Sequence, residues 1–477
     1  MGFTTQIFTF LFLPLSALIY FPTYFLSNKI KVLRKIRVTD LVLIALSLGF
    51  YAWACFDDIF RLGFYIVAVW LMGFILSKTR ASGKKTALVL MLVFCGVLAV
   101  VLFLAKYLGF AADIVNFILG TSLKPKSVMA ILGISFVTFS AVSYIVDIYK
   151  GKAEAGNIID AALYLTFFPK VVSGPIVLYR DFKPQKPEVN LNNLSEGIIR
   201  VMFGFAKKVI LADTFGFVLS KAAYAVDVPT AWGMGLLYML QIYYDFSGYS
   251  DIALGLSKML GYDFAENFNF PYLSTSITEF WRRWHVSLGR WFREYIYFPL
   301  GGSRCSKGRI VFNISVVFLL TGIWHGAGLT YIIWGMINGL CNIIEKLISD
   351  KNIYQKTPKF VKWLLTMGVT FVCWQFFRSP NVFTAGRHLL SMFGLMNYSS
   401  VVYTWRYYFD AQIIIFALIG MLGATVFGLP KVQERYKGLV ATKTGYSVRM
   451  VVAAVLFVLV IIFMINSSYS PFLYFQY

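Results

Sequence analysis

Long uninterrupted apolar stretches dominate the sequence and restrict the chain to a membrane-embedded fold. A helix needs roughly 20 apolar residues to cross a bilayer, and about ten to twelve stretches of that kind run from end to end. Of the 477 residues, 58% are hydrophobic and only 14% are charged, which lies outside the composition of soluble domains. We therefore predict an all-α polytopic membrane protein, a single integral membrane domain over residues 1–477.

The positive charge of the chain lies mainly in short loops between the apolar stretches. There are 44 Lys and Arg residues against 22 Asp and Glu, a formal net charge of +22. Basic loops stay in the cytoplasm and attract anionic lipid headgroups, so the charge needs no nucleic acid to explain it. We expect membrane lipid as a partner and no nucleic acid.

The order of apolar and basic segments predicts the orientation of the chain. The first 26 residues are apolar, and a basic cluster follows them at residues 29–37. The last predicted span covers residues 450–466, and a second basic cluster precedes it. Because basic flanks remain cytoplasmic, we predict that the N- and C-termini both lie outside the cytoplasm.

The region from residue 150 to residue 300 does not divide into clean spans, because prolines, glycines and acidic residues interrupt it. Polar segments at membrane depth persist only inside protein or along a wet cavity, so we expect the functional part here. Asp245, Ser247 and Asp251 are too polar to face lipid. Buried carboxylates need cationic partners, and we expect structural ion pairs with the arginines of residues 282–293; direct catalysis by the carboxylates is the alternative.

The chain has three histidines, at positions 285, 325 and 388. His325 ends the stretch RIVFNISVVFLLTGIWHGAG, and a helix of about 16 residues at 1.5 Å each reaches past the bilayer midplane there. An ionisable side chain at that depth is costly unless it lines a cavity, which makes His325 a catalytic candidate. The alternative is a structural histidine that donates one hydrogen bond to a neighbouring helix. We expect His388 to lie in an exposed external loop.

His285 lies in the aromatic and basic segment FWRRWHVSLGRWFREYIYFPLGGSR. On one continuous helix the aromatic residues form one side and the arginines another, which predicts an interfacial helix with its aromatic side in the membrane. The arginines are Arg282, Arg283, Arg290 and Arg293. They either anchor lipid headgroups or bind the phosphates of an anionic cytoplasmic ligand beside a loop at Gly301 and Gly302. Their spacing leaves both interpretations open.

Two segments, FWRRWHVSLGRWFREYIYFPLGGSR and FLLTGIWHGAGLTYIIWG, resemble the membrane-bound O-acyltransferase (MBOAT) family. They are most similar to its bacterial branch, which contains the alginate and peptidoglycan O-acetyltransferase membrane subunits. The segments YYDFSGYSDIALGLSKMLGYDFAENFNFPY, FFPKVVSGPIVLYRDF and GISFVTFSAVSYIVDIYKG and the terminal PFLYFQY resemble the same branch. The resemblance is ordered along the chain and covers residues 130–345 and the tail.

The resemblance implies a ring of about ten to twelve transmembrane helices, with re-entrant and interfacial helices around a central tunnel. It implies N-terminal helices in residues 1–126, a catalytic core in 127–348 and C-terminal helices in 349–477. The location that it implies is the bacterial cytoplasmic membrane.

The resemblance also assigns roles to residues. The family's catalytic histidine falls on His325 and its second motif histidine falls on His285. Trp324 and Asn313 belong to the predicted polar core around them. Many relatives carry a further histidine where this chain has Asn338, so that position is not expected to be essential.

The function implied is acetyl transfer from cytoplasmic acetyl-CoA, across the membrane, to a hydroxyl of an extracytoplasmic partner protein or an exopolysaccharide, alongside glycan synthesis machinery. His325 would act as the general base, and the arginines would bind the donor. We expect no permanently bound cofactor. We also expect no metal, since the five cysteines lack CxxC spacing.

Two alternatives remain. One is D-alanyl transfer from a carrier protein for teichoic acid modification, against which the segment PLGGSR favours acetyl transfer. The other is a non-enzymatic transporter, although the sequence lacks the two related halves typical of that class.

Overall fold

The computed structural model describes residues 2–125, 131–221, 227–396 and 403–466. These ranges are built from α-helices joined by turns and loops, with a few π-helical and 3₁₀ turns, and contain no β-strand. The tail after residue 466, from which part of the resemblance and the placement of the C-terminus were drawn, lies outside the described residues.

The helices of the first part of the chain are α1 Leu13–Lys29, α2 Lys31–Ile36, α3 Val38–Ala54, α4 Asp58–Ser82, α5 Lys84–Lys106, α6 Leu108–Leu119, α7 Ile134–Tyr149, α8 Ile158–Thr166, α9 Tyr179–Phe182, α10 Leu191–Phe205, α11 Asp213–Ser220 and α12 Val228–Met259. A π-helical turn, Ala206–Ala212, joins α10 to α11.

The remaining helices are α13 Ile277–Arg283, α14 Val286–Phe292, α15 Lys307–His325, α16 Leu329–Ile348, α17 Asn352–Lys356, α18 Lys359–Arg378, α19 Val382–Met392, α20 Trp405–Tyr408, α21 Ala411–Ala424, α22 Pro430–Ala441 and α23 Lys443–Asn466.

Eight described helices are long and apolar enough to cross a bilayer. They are Phe8–Lys29, Asp58–Ser82, Lys84–Lys106, Lys307–His325, Leu329–Ile348, Lys359–Arg378, Ala411–Gly428 and Lys443–Asn466. Three shorter apolar helices, α3, α6 and α7, accompany them. The prediction of an all-α polytopic membrane protein is confirmed, and the ring of ten to twelve helices stays a prediction.

The backbone groups into two compact units. The first comprises residues 1–194 and 256–264, and the second comprises residues 195–255 and 265–477. In the first unit, α4 and α7 approach closely at Gly73, where a Cβ atom would lie 2.3 Å from the Tyr144 ring. The division into residues 1–126, 127–348 and 349–477 remains a prediction.

In the second unit, helices α15 and α16 pack backbone to backbone. A Cβ atom on Gly322 would lie 2.6 Å from the Tyr331 carbonyl oxygen, and one on Gly335 would lie 2.5 Å from that of Phe318. Only glycine permits this approach, because any larger side chain would separate the helices. The close packing buries the last turn of α15, which ends at His325.

The prediction of one continuous helix through His285 is wrong. Helix α13 ends at Arg283, and His285 has the left-handed angles φ 44° and ψ 52° before α14 begins. The backbone N–H of Val286 donates to the Asn267 carbonyl at 2.9 Å, and that of Ser287 donates to Asn267 Oδ1 at 3.1 Å. Asn267 therefore satisfies the first amide groups of α14 from outside the helix, which the periodicity of the segment cannot reveal.

Candidate active site

His325 is the last residue of α15, and its side chain is 4% exposed. Three aromatic rings surround it. The ring centroids of Trp324, Trp334 and Phe377 lie 4.7, 4.9 and 5.2 Å from that of His325. The Trp334 and Phe377 rings stand nearly perpendicular to the imidazole, at 88° and 78°, the edge-to-face arrangement that aromatic pairs favour. Helices α15, α16 and α18 together fix the orientation of the imidazole.

Trp324 contacts both candidate histidines. Its ring centroid lies 4.7 Å from that of His325 and 6.3 Å from that of His285. The two histidines are 40 positions apart in the sequence, yet they flank the same buried indole. The structure thus brings together three of the residues that the sequence predicted for the site.

A hydrogen-bonded asparagine fixes the His285 ring. Asn267 Oδ1 lies 3.2 Å from His285 Nδ1 and accepts from the backbone N–H and the hydroxyl of Ser287, at 3.1 and 2.8 Å. A backbone N–H can only donate, so the shared Asn267 atom is the oxygen, and His285 Nδ1 therefore carries the proton. That tautomer puts the lone pair of the neutral ring on Nε2.

Burial keeps His285 neutral. Its side chain is buried, and this desolvation lowers the pKa of His285 to about 3. The Phe246 ring of α12 covers it edge-on, at 4.5 Å between centroids and 82° between planes. A neutral, oriented imidazole can hold a polar group without adding charge to an apolar site.

Asn267 is the residue that sequence reasoning missed. It is completely buried, and its Nδ2 donates to Ser250 Oγ of α12 at 3.0 Å. The only signal was a polar residue inside the aromatic run ENFNFPY. Asn267 also lines a cavity of about 280 Å³ together with Ser247 and Ser250. The charged residues of this cavity are two cations and two carboxylates: Arg200, Lys207, Asp251 and Glu266.

The partners expected for the α12 carboxylates were wrong, although both carboxylates are ion-paired. Asp245 pairs with Lys208 at 2.7 Å, and both side chains are almost completely buried. Asp251 pairs with Lys207 at 2.6 Å and with Arg200 at 2.9 Å. All three cations come from residues 200–208 and not from the arginines of residues 282–293. The reason is that α10 and the π-helical turn after it lie along α12.

The four arginines do not form a single row, because the break at His285 separates Arg282 and Arg283 from Arg290 and Arg293. Arg282 and Arg293 are exposed. Arg283 forms an ion pair with Glu279 at 2.7 Å within its own helix. A donor-binding role for these arginines remains a prediction.

Two buried asparagines organise the neighbouring segments. Asn313 Nδ2 donates to the Gly302 carbonyl at 3.1 Å and so ties the loop before α15 to the helix. Asn338 Oδ1 accepts from the Trp281 indole N–H at 3.2 Å, and its Nδ2 donates to the Trp334 carbonyl at 2.9 Å. Asn338 therefore links α13 to α16 beside the aromatic rings around His325.

The expectation for His388 was wrong in its secondary structure and in its exposure. It lies on helix α19, not in a loop, and its side chain is half-buried.

Comparison with known proteins decides the family. The sequence profile of the membrane-bound O-acyltransferase family, MBOAT, matches residues 126–393, an interval that contains both site histidines and Asn267. The chain belongs to this family. It is an O-acyltransferase of the alginate and peptidoglycan branch, embedded in a membrane. Membership implies an acyl donor as co-substrate.

Three relatives of the chain have names that specify different acyl groups and acceptors. The chain is 37% identical to a probable alginate O-acetylase of Pseudomonas putida, over the whole of both chains. It is 31% identical to a peptidoglycan O-acetyltransferase of Helicobacter pylori, over 82% of this chain and 80% of the relative. A teichoic acid D-alanyltransferase of Bacillus subtilis is 33% identical over 53% of this chain and 69% of the relative.

Proposed function

We propose that this chain transfers an acetyl group from acetyl-CoA on the cytoplasmic side to a hydroxyl of an extracytoplasmic partner protein or an exopolysaccharide. The single observation that carries the proposal is His325, buried at the end of a membrane-spanning helix and oriented by three aromatic rings. The acetyl group is favoured because the relatives that align over the full chain are named as acetylases.

His325 acts as the general base. It accepts the proton of the attacking hydroxyl as the hydroxyl oxygen forms a bond to the thioester carbonyl carbon. The carbon–sulfur bond then breaks, and the proton passes from His325 to the departing sulfur of CoA. Proton transfer by a positioned imidazole contributes roughly 10²–10⁴ in rate.

His285 positions the donor from the other side of Trp324. In the sequence, His285 lies between Arg283 and Arg290, and the loop held by Asn313 follows Arg293; these arginines are proposed to bind the phosphates of CoA. Of the four arginines proposed to bind the donor, Arg290 and Arg293 follow the break in the helix. They are also the closest in sequence to the loop at Gly301 and Gly302.

The membrane orientation follows the basic clusters. Helix α15 begins at Lys307 in the cytoplasm and, at 19 residues, extends about 28 Å toward the other side. His325 at its end then reaches the acceptor side, and both chain termini lie outside the cytoplasm of a bacterial cell. Glycan synthesis machinery supplies the acceptor there.

The acyl donor can be tested directly with purified protein in detergent. Radiolabelled acetyl-CoA and a carrier protein loaded with D-alanine are each supplied with a short alginate oligosaccharide and with a peptidoglycan fragment. We expect acetyl-CoA, and not the D-alanyl carrier, to give label on a glycan hydroxyl or to release free acetate. Transfer from the D-alanyl carrier, with no reaction of acetyl-CoA, would contradict the acetyl assignment.

A further inference from the structure

The first unit contains a cavity that the proposed acetyl transfer does not use. Its volume is about 370 Å³, and Tyr24, Ser27 and Asn28 line it from the last turns of α1. Both site histidines belong to the second unit. The cavity is therefore a separate feature, and it lies at the end of a membrane-spanning helix.

The lining of this cavity is cationic. Four basic side chains and two carboxylates line it: Arg34, Arg37, Lys183, Lys186, Asp40 and Asp160. Arg37 and Lys183 each lie 2.8 Å from Asp160. Although burial alone would raise the pKa of Asp160, these two hydrogen-bonded cations lower it, so its carboxylate stays ionised at neutral pH.

Two of the four cations remain available to a ligand. Arg34 and Lys186 have exposed side chains and form no ion pair within the described ranges. The cavity carries a net charge of +2, which favours an anion. Guanidinium and ammonium groups are the donors that phosphate oxygens accept from.

Ser27 supplies an independent sign of a ligand. Its side chain is 4% exposed and lines the cavity, and Oγ has no hydrogen-bond partner in the part of the chain that the structure describes. Buried hydroxyl groups are ordinarily hydrogen-bonded, so this one is expected to bond to something that occupies the cavity.

Apolar side chains next to the cavity face outward. Phe25, Leu26 and Ile30 are exposed at the end of α1, and Val32 and Ile36 are exposed on α2. A basic cavity bordered by exposed apolar residues at the end of a membrane span fits an amphipathic anion whose acyl chains remain in the bilayer.

We propose that this cavity binds the phosphate of an anionic phospholipid, with Arg34, Lys186 and Ser27 as donors. Asp160 holds Arg37 and Lys183 along the wall of the cavity. The acyl chains of the lipid lie against Phe25 and Leu26. The site is independent of the reaction proposed for the histidines.

The test measures lipid binding to the delipidated full-length protein in detergent by native mass spectrometry. Phosphatidylglycerol is expected to bind with 1:1 stoichiometry and at least ~10-fold more tightly than zwitterionic phosphatidylethanolamine. The Arg34→Gln/Lys186→Gln variant is expected to lose ~10-fold or more in affinity for phosphatidylglycerol. The matched control is Lys31→Gln/Lys35→Gln, which removes the same charge from residues of α2 outside the cavity and should stay within about twofold of wild type.

Equal losses of affinity in the two double variants would overturn the site, because they would show that any basic residues of this region attract the anionic lipid equally. Equal binding of the two lipids would overturn it as well. Glycerol 3-phosphate, which shares the phosphate but lacks acyl chains, is expected not to compete at millimolar concentration. Full competition by it would replace the lipid with a soluble phosphate and contradict the proposal.

Ser27→Ala separates ligand binding from folding. Because Oγ makes no hydrogen bond to the described residues, its removal should leave the thermal midpoint of the lipid-free protein unchanged. Affinity for phosphatidylglycerol should fall by roughly tenfold or more, the value of one hydrogen bond to a charged group. Unchanged affinity would contradict a direct contact between Ser27 and the lipid phosphate.

Discussion

Replacing Asn267 by alanine should destabilise the second unit and slow the reaction. The side chain makes three hydrogen bonds, two from Ser287 and one to Ser250, and a fourth polar contact with His285. Each hydrogen bond contributes about 0.5–1.5 kcal/mol net, so losing three costs about 1.5–4.5 kcal/mol. The contact with His285, at about 1 kcal/mol, corresponds to a roughly fivefold lower kcat if His285 positions the donor.

The assay compares Asn267→Ala with Asn269→Ala in the same detergent. Asn269 is the same residue type two positions away, but its side chain is exposed, and its described hydrogen bonds involve only its own backbone N–H and carbonyl groups. The thermal midpoint and acetyl-transfer kinetics are measured for both variants. A drop in midpoint and kcat for Asn267→Ala alone is expected. Indistinguishable variants would refute the assignment of Asn267 as the residue that shapes the break before α14 and orients His285.

The remaining predictions concern the buried ion pairs, the donor site and the topology. Lys208→Met should cost about 3–5 kcal/mol because it leaves buried carboxylates uncompensated, and Lys208→Met/Asp245→Asn should recover part of that loss in thermal melts; a costlier double variant would contradict the pairing. Arg290→Gln/Arg293→Gln should raise the KM for acetyl-CoA with little change in membrane integration, whereas unchanged KM would favour the lipid-anchor interpretation. Single cysteines at Lys307 and in the tail, in a background without native cysteines, should react with impermeant maleimide from opposite faces of the membrane; labelling of both from outside would refute the orientation.

The membrane character and the approximate position of the histidine site could be predicted because their signals are local in sequence. A run of apolar residues specifies a span by itself, and an ionisable residue such as His325 stands out within one. The family resemblance named His325 and His285 as a pair, but their contact with the same Trp324 ring could not be predicted from spacing, since only tertiary structure brings positions 40 residues apart together.

The errors at His285 and at Asp245 share one physical cause, which is a partner distant in sequence. The break at His285 depends on Asn267, 18 residues earlier, which competes for the amide groups that a continuous helix would have used. The cation for Asp245 comes from Lys208, on a helical segment whose proximity to α12 no local pattern encodes. Helical periodicity describes one segment at a time, so it could not identify either interaction.

Replacement of His325 tests the central claim most directly. Acetyl transfer from labelled acetyl-CoA is measured for wild type, His325→Ala, His325→Gln and the control His388→Ala, whose imidazole is half-buried on α19. Both His325 variants should lose roughly 10²-fold or more in kcat while retaining expression and donor binding, because the imidazole supplies proton transfer. His388→Ala should retain near wild-type turnover. Wild-type kcat in His325→Gln would contradict the assignment of His325 as the general base.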